Sequence, residues 1–313
     1  MPRTTDWFVI VNPASGGGRA GRRWPDLARE LAAAGVGFES VVTGHPGHAV
    51  SLVREAVGRG FRRLLAVGGD GILHEVLNGA LGQQQVPASA LLIGAAPLGS
   101  GNDWARTHGI PSRPAETARC IAAGRCGLHD LGRLDFTEAR GEGRSCYFIN
   151  VAGAGLDAYV LERLPPGVPR RLGYMIGVLR SLATYAPPEF TVEIDGRPDR
   201  GRLYLALLSM TPYCGGGMHV APAARTDDGL LDVVKVAPLK LPRELLKLRR
   251  IYDGRLPEER FAQYALGKVV RIHATPAVTV QADGQIVGRT PVVATLLPAA
   301  IMTLRGGTSP DQR

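Results

Sequence analysis

Along the first third of the chain, short apolar runs alternate with stretches of helical periodicity. DWFVIVN, FESVVTG, RRLLAVGG and ALLIGAAPLGSGND read as strands, and RRWPDLARELAAAG, GHAVSLVREAVGRG and ILHEVLNGAL as the helices between them. That alternation predicts βαβ units and a mostly parallel sheet. Beyond about residue 128 the texture changes. CYFINVAG, EFTVEID, RLYLALLSM, LLDVVKV, KVVRIHA, AVTVQAD, PVVATLL and AIMTLRG follow one another as strand-like runs, with Asp195-Gly196, Asp228-Gly229 and Asp283-Gly284 as turn signals between them. An antiparallel sandwich or barrel is expected there. The predicted division is an α/β nucleotide-binding domain over 1–128 and an all-β, sandwich-like substrate domain over 129–305, followed by a disordered tail.

Two helical patterns interrupt the strands. One spaces Leu172, Met175, Ile176, Leu179 and Leu182 as a core face, and the other sets Lys247, Arg249 and Arg250 beside Leu245, Leu246 and Ile251. A core face and a lipid cleft are both open for the first, and a solvated face and an anionic bilayer contact for the second.

Length and composition bound the rest. With 313 residues, 45% hydrophobic and 21% charged, the chain is an ordinary globular sequence of about two domains. No run approaches the ~18 apolar residues of a membrane-spanning helix, and WFVIV meets Asn12-Pro13 too soon for a signal peptide, so a cytoplasmic protein is expected. Cys120, Cys126, Cys146 and Cys214 show no metal-ligand spacing, nor do His45, His48, His108 and His219. The formal net charge of +9 calls for an acidic partner: nucleic acid, an anionic membrane or a phosphorylated substrate. Because the arginines are scattered and lack interleaved aromatics, nucleic acid is the weakest of the three.

Three of the expected strands end in glycine-rich loops, and ligands of such sheets bind beyond the carboxyl ends of strands. VNPASGGGRAG offers flexible amides, Asn12 and Ser15, with Arg19, Arg22 and Arg23 as phosphate counter-charges. PLGSGNDWAR adds Ser100, Asn102 and Asp103. Between them, GGDG at Gly68 to Gly71 opens a helix whose positive end favours an anion, yet it places a carboxylate at its centre. It matches neither the P-loop nor the dinucleotide fingerprint. Asp70 is either a helix N-cap in a tight turn or a group that holds a cation, a hydroxyl or a proton.

Taken in order, these stretches resemble the diacylglycerol kinase catalytic-domain family, which also contains sphingosine and ceramide kinases and bacterial soluble lipid kinases. The likeness runs through Asn12-Pro13 with Ser15-Gly16-Gly17, Thr43 with Gly47-His48-Ala49, Gly68-Gly69-Asp70-Gly71, and Pro97-Leu98-Gly99-Ser100 with Asn102-Asp103. It continues through NVAGAGLDA, DDGLLDV and Asp283-Gly284.

The resemblance implies a phosphofructokinase-like or NAD kinase-like α/β domain followed by a β-sandwich, with the active site in the cleft between them. It implies an ATP- and Mg²⁺-dependent lipid kinase of phospholipid metabolism, acting on a lipid hydroxyl at an anionic membrane surface. Asn12, Pro13, Ser15, Gly16, Thr43, Gly68, Gly69, Asp70, Gly71, Ile72, Ser100 and Asn102 would then line the nucleotide site. Asp70 would be cation-linked or substrate-orienting with Asp103 in support, and Asp283 the base. Asp228, with the carbonyls of Arg225 and Leu230, would bind a structural Mg²⁺, although an Asp-Gly hairpin turn is the other reading. The chain departs from the family at Gln285, where glutamate is usual, at Ile72 in place of threonine and at His74 in place of asparagine. Those departures keep open a nucleotide-binding regulatory protein with decayed catalysis. An NAD kinase-like activity is the other enzyme alternative, and a homodimer is an open assembly state.

Overall fold

The computed structural model describes residues 6–137, 143–164, 176–177, 180–181, 184–239 and 250–307. Leu172, Met175, Leu179 and Leu182, the basic stretch through Arg249, and the expected tail from 308 onward lie outside them. The chain divides into two compact units, Met1–His129 with Ala299–Arg313, and Asp130–Pro298. Whereas the sequence pattern assigns 129–305 to one domain, the residues from Ala299 belong to the first unit. The reason lies in one strand, described below.

In the first unit the chain runs β1 (Trp7–Val11), α1 (Arg19–Ala33), β2 (Phe38–Val42), α2 (His48–Gly58), β3 (Arg63–Gly68), α3 (Asp70–Gly82), β4 (Leu92–Pro97), α4 (Asp103–Thr107) and α5 (Pro114–Ala123). The strands pair in parallel in the order β2-β1-β3-β4. β1 and nearly all of β3 are buried apolar residues, as a sheet covered on both faces requires. Register decides function here. Val11 lies opposite Val67 and Gly68 opposite Pro97, so β1, β3 and β4 end at one edge and their loops emerge side by side.

The second unit contains β5 (Cys126–Thr137, which enters it at Asp130), β6 (Gly143–Phe148), β7 (Val151–Gly155), α6 (Leu156–Glu162), β8 (Glu189–Ile194), β9 (Arg197–Arg202), β10 (Leu205–Ser209), β11 (Tyr213–Cys214), β12 (Met218–His219), β13 (Leu231–Val236), β14 (Ala262–Gly267), β15 (Val269–Thr275), β16 (Thr279–Ala282), β17 (Gln285–Arg289) and most of β18 (Val292–Leu304). One antiparallel sheet is ordered β14-β13-β10-β7-β16-β17, and a second set of strands β18-β15-β8-β9. Their inner faces share a core that includes Phe148, Phe190, Leu208, Val233, Ile272 and Val292. β15 alternates buried and exposed positions with the period of two of a half-buried strand.

Two expected strands, PVVATLL and AIMTLRG, are a single strand, β18. Its first residues pair with β15, while Met302 and Thr303 pair with β4, beyond Ala299 at φ 48°. Conversely, CYFINVAG is two strands that break at Ile149-Asn150. The polar hairpin arm β9 carries no apolar pattern from which a strand is readable.

Candidate active site

The first loop leaves β1 at Asn12, whose N–H donates to Val67 O at 3.0 Å and whose side-chain oxygen accepts from Ala14 N–H at 3.0 Å. Gly16, Gly17 and Gly18 follow at φ 64°, 66° and 82°. Three successive left-handed residues need glycine. A Cβ on Gly16 would sit 2.9 Å from Leu98 O, in the third loop. Pro13 O accepts from Gly21 N–H at 3.2 Å, turning the loop into α1. Arg19 then locks the arrangement, donating to Leu98 O at 3.3 Å and to Gly99 O. Arg22 likewise donates to Gly17 O at 3.4 Å. The sequence pattern offers both arginines as phosphate counter-charges, and the structure employs both in holding loop carbonyls.

The second and third loops touch. Leu98 and Gly99 N–H both donate to Gly68 O, at 2.8 and 2.7 Å. A Cβ on Gly68 would lie 2.6 Å from Ser15 Oγ, and one on Gly99 only 2.3 Å from Gly69 Cα. No side chain larger than hydrogen fits at Gly99. Asn102, in the left-handed region at φ 59°, clamps the turn: its oxygen accepts from Gly99 N–H at 3.1 Å and its amide donates to Gly99 O at 2.9 Å.

Asp70 stands at the centre of these loops. It does not cap its own helix, whose N-cap is Gly69. Instead Oδ2 accepts from Asp103 N–H and Oδ1 from Trp104 N–H, each at 3.1 Å, so the carboxylate caps α4. A hollow of about 10 Å³, room for about one water, is lined here by Gly68, Gly69, Asp70, Pro97, Asn102 and Trp104. Thr43 lies one strand over, its N–H donating to Val11 O at 2.8 Å. Ala49 N–H donates to Glu75 at 3.3 Å, tying α2 to α3. Asn12, Pro13, Ser15, Gly16, Gly68 to Gly71, Ser100 and Asn102 are thus loop neighbours at one sheet edge. Ile72 differs from its expected place as a nucleotide contact: it is 2% exposed and its methyl packs beneath Gly68. His74 is equally a core residue, joined to Asn78.

The remaining predicted residues lie in the second unit, in two separate clusters. Asp283, at φ 48° in the β16–β17 turn, accepts from Ile149 N–H at 3.1 Å, Asn150 N–H at 2.8 Å and Val151 N–H at 3.2 Å. This is the arrangement that splits β6 from β7. Three amide donors make the Asp283 carboxylate a structural anchor of residues 149–151. Gln285 opens β17 beside it.

In the other cluster Asp228 Oδ1 accepts from Leu230 N–H at 3.1 Å, an Asx turn beside Arg225. Asp130 Oδ2 holds the Gly229 N–H at 2.7 Å. Burial first and the Asp228 charge second push the Asp232 carboxyl up to about 6. Among the described residues no group of three or more His, Cys, Asp or Glu is disposed to hold a metal. Asp130 and the Trp104–His129 pair escaped the sequence reading, since nothing local marks a lone Asp or His as the partner of a residue so far along the chain. None of the helices in the described residues is long and apolar enough to cross a membrane.

The chain thus pairs a parallel sheet that carries three interlocked glycine loops at one edge with a β-sandwich. Residues 6–134 match the model of the diacylglycerol kinase catalytic domain, and residues 150–305 that of the YegS C-terminal NAD kinase beta sandwich-like domain. The chain belongs to the diacylglycerol kinase catalytic-domain family of lipid kinases. It is 29% identical to a protein named diacylglycerol kinase from Mycobacterium tuberculosis, over 95% of this chain and 94% of the relative. It is 31% identical to the "Probable lipid kinase YegS-like" of Chromohalobacter salexigens, over 83% and 81%. The fold is that of a crystal structure titled as a diacylglycerol kinase from Bacillus anthracis, with a TM-score of 0.71, 21% identity and 97% of each chain covered.

Proposed function

We propose that this chain transfers the γ-phosphate of ATP, with Mg²⁺, to the hydroxyl of a diacylglycerol-type lipid at an anionic membrane surface. The observation that carries the proposal is the closure of the three loops around Asp70 at the start of α3. The contacts at Gly16, Gly68 and Gly99 keep side chains out, so a phosphate can approach the backbone there, next to the positive end of a helix. In this reading Asn12, Pro13, Ser15, Gly16, Thr43, Gly68, Gly69, Gly71, Ser100 and Asn102 hold the nucleotide.

The donor set suits a hard cation. Asp70 is an oxygen donor at the phosphate loops, and on the Asp228 loop the Asp228 carboxylate with the Arg225 and Leu230 carbonyls would hold a second cation, whose charge would offset that of the neighbouring Asp228 and Asp232 carboxyls. Bound at the phosphates, Mg²⁺ neutralises charge on the β- and γ-groups. The chain's own part is orientation. Phosphoryl transfer passes through a loose transition state that depends more on positioning than on proton abstraction, which suits a protein with Gln285 and with Asp283 engaged by three amides. Its net charge of +9 favours contact with anionic lipid.

The test is transfer of label from ATP into mixed micelles containing diacylglycerol, monoacylglycerol, sphingosine or ceramide, with NAD as a separate acceptor. Labelled lipid from diacylglycerol supports the proposal. Label in NAD alone supports the NAD kinase-like alternative, and ATP binding without labelled product supports the regulatory reading that Gln285 motivates.

A further inference from the structure

We infer that the buried hydrogen bond between Trp104 and His129 positions Asp70, so that both residues set the geometry of the phosphate site from behind it. The inference rests on the kinase reading above. The two oxygens of Asp70 accept from the first two N–H groups of α4, so the plane of the carboxylate follows wherever the start of α4 lies. α4 is only 5 residues long, and so short a helix does not hold its place by backbone bonds alone. Its own side chains fix it.

Trp104 is wholly buried, and its indole N–H donates to Nε2 of His129, also wholly buried, at 3.3 Å. To accept there, His129 carries its proton on Nδ1. The His108 ring closes the cluster, 4.4 Å from the Trp104 ring and 5.2 Å from that of His129. Burial first, then the neighbouring His129 and Arg305, hold His108 well below the usual histidine range, so it adds no charge to the cluster. The end of α4 is pinned as well, because Gly306 N–H donates to His108 O at 2.8 Å. Displacing a positioned group by about 1 Å costs on the order of 100-fold in rate. A lost indole bond at the second residue of α4 acts directly on that displacement.

Trp104→Phe removes the donor and keeps an aromatic ring. We expect kcat to fall on the order of 10- to 100-fold while KM for ATP stays within about twofold. His129→Gln keeps an acceptor and recovers most of kcat, whereas His129→Leu matches Trp104→Phe. The Trp104→Phe/His129→Leu double variant is no slower than either single variant if the two act as one unit. Full kcat in Trp104→Phe, or losses that add in the double variant, would overturn the inference. If Trp104→Phe does not fold, the Gln and Leu variants at His129 supply the same comparison.

A second readout needs no activity. The chain has 3 tryptophans, so the indole N–H resonance of Trp104 is assignable by NMR. Asp70→Asn should move it if Asp70 and the lock are coupled, and an unmoved resonance would overturn the inference. Wild-type protein that labels no lipid, yet shows this coupled shift, would sink the kinase reading and leave the positioning role standing.

Discussion

The two units close their loops by opposite means. In the first, glycines approach glycines: a Cβ on Gly99 would fall 2.3 Å from Gly69 Cα, so bare backbone meets bare backbone at one sheet edge. In the second, carboxylates reach for remote backbone. Asp283 takes three amides of residues 149–151, Asp195 takes those of Lys268 at 3.0 Å and Val269 at 2.8 Å, and Asp130 takes that of Gly229. Loops without side chains let an anion approach backbone at a helix N-terminus, whereas a loop closed by a carboxylate carries negative charge of its own. The proposed phosphate site accordingly lies in the first unit. The acidic turns of the second unit each hold remote backbone N–H groups.

The severest break in this contrast is Gly99→Ala. Its Cβ would fall 2.3 Å from Gly69 Cα, so the loops must separate. Kinase activity should drop by at least about 100-fold, consistent with misplacing the groups that position phosphate. Gly69→Ala is the milder comparison: its Cβ would meet Gly99 Cα at 3.3 Å, which a shift of a few tenths of an ångström relieves, so it should cost less than Gly99→Ala. Steady-state rates at saturating lipid check both.

Next comes Asp283→Asn. The amide keeps one accepting oxygen but turns an NH₂ toward the backbone N–H groups, which should destabilise the protein by about 3 kcal/mol. Denaturant unfolding measures the loss. If Asp283 is an anchor, activity of the variant in the cold should track its folded fraction; a loss of 100-fold or more in fully folded protein would restore it as the base.

The smallest effect is expected at Asp157, which is buried at the start of α6 and bonded to Gln281 Nε2 at 3.0 Å. Burial pushes its carboxyl up to about 6 from an ordinary 3.8. A raised carboxyl stabilises the fold relative to its ionised form below about pH 4, and that advantage disappears as the pH rises through 6. Asp157→Asn should therefore stabilise the protein at pH 8, by at most about 3 kcal/mol, and make no difference at pH 4. Melting curves at the two pH values decide it.

This contrast also explains what could be read from the residues. The βαβ alternation and the glycine loops were legible because the information is local: an apolar run, a glycine turn and a helix lie within twenty or so residues, as in 64–81. The Asp-Gly turns at Asp195 and Asp283 were equally legible as turns, and both Asp residues adopt positive φ, at 47° and 48°. What those carboxylates grip was not legible, since the partners are 73 and 133 residues away in sequence. The same distance hid Asp130, 99 residues from Gly229. Local reading also misplaced two features. The helix N-cap that it offers as one alternative for Asp70 is made on α4 and not on α3, and it ended a strand near Pro298 where β18 continues into the first unit.

The most direct test of the central claim is calorimetric titration of ATP into the wild-type protein, Gly99→Ala and Asp283→Asn, each confirmed as folded at the working temperature. The account predicts that binding is lost or weakened at least about tenfold in Gly99→Ala and kept within about twofold in Asp283→Asn. Unchanged ATP affinity in Gly99→Ala, or its loss in folded Asp283→Asn, would contradict the placement of phosphate recognition in the glycine loops of the first unit.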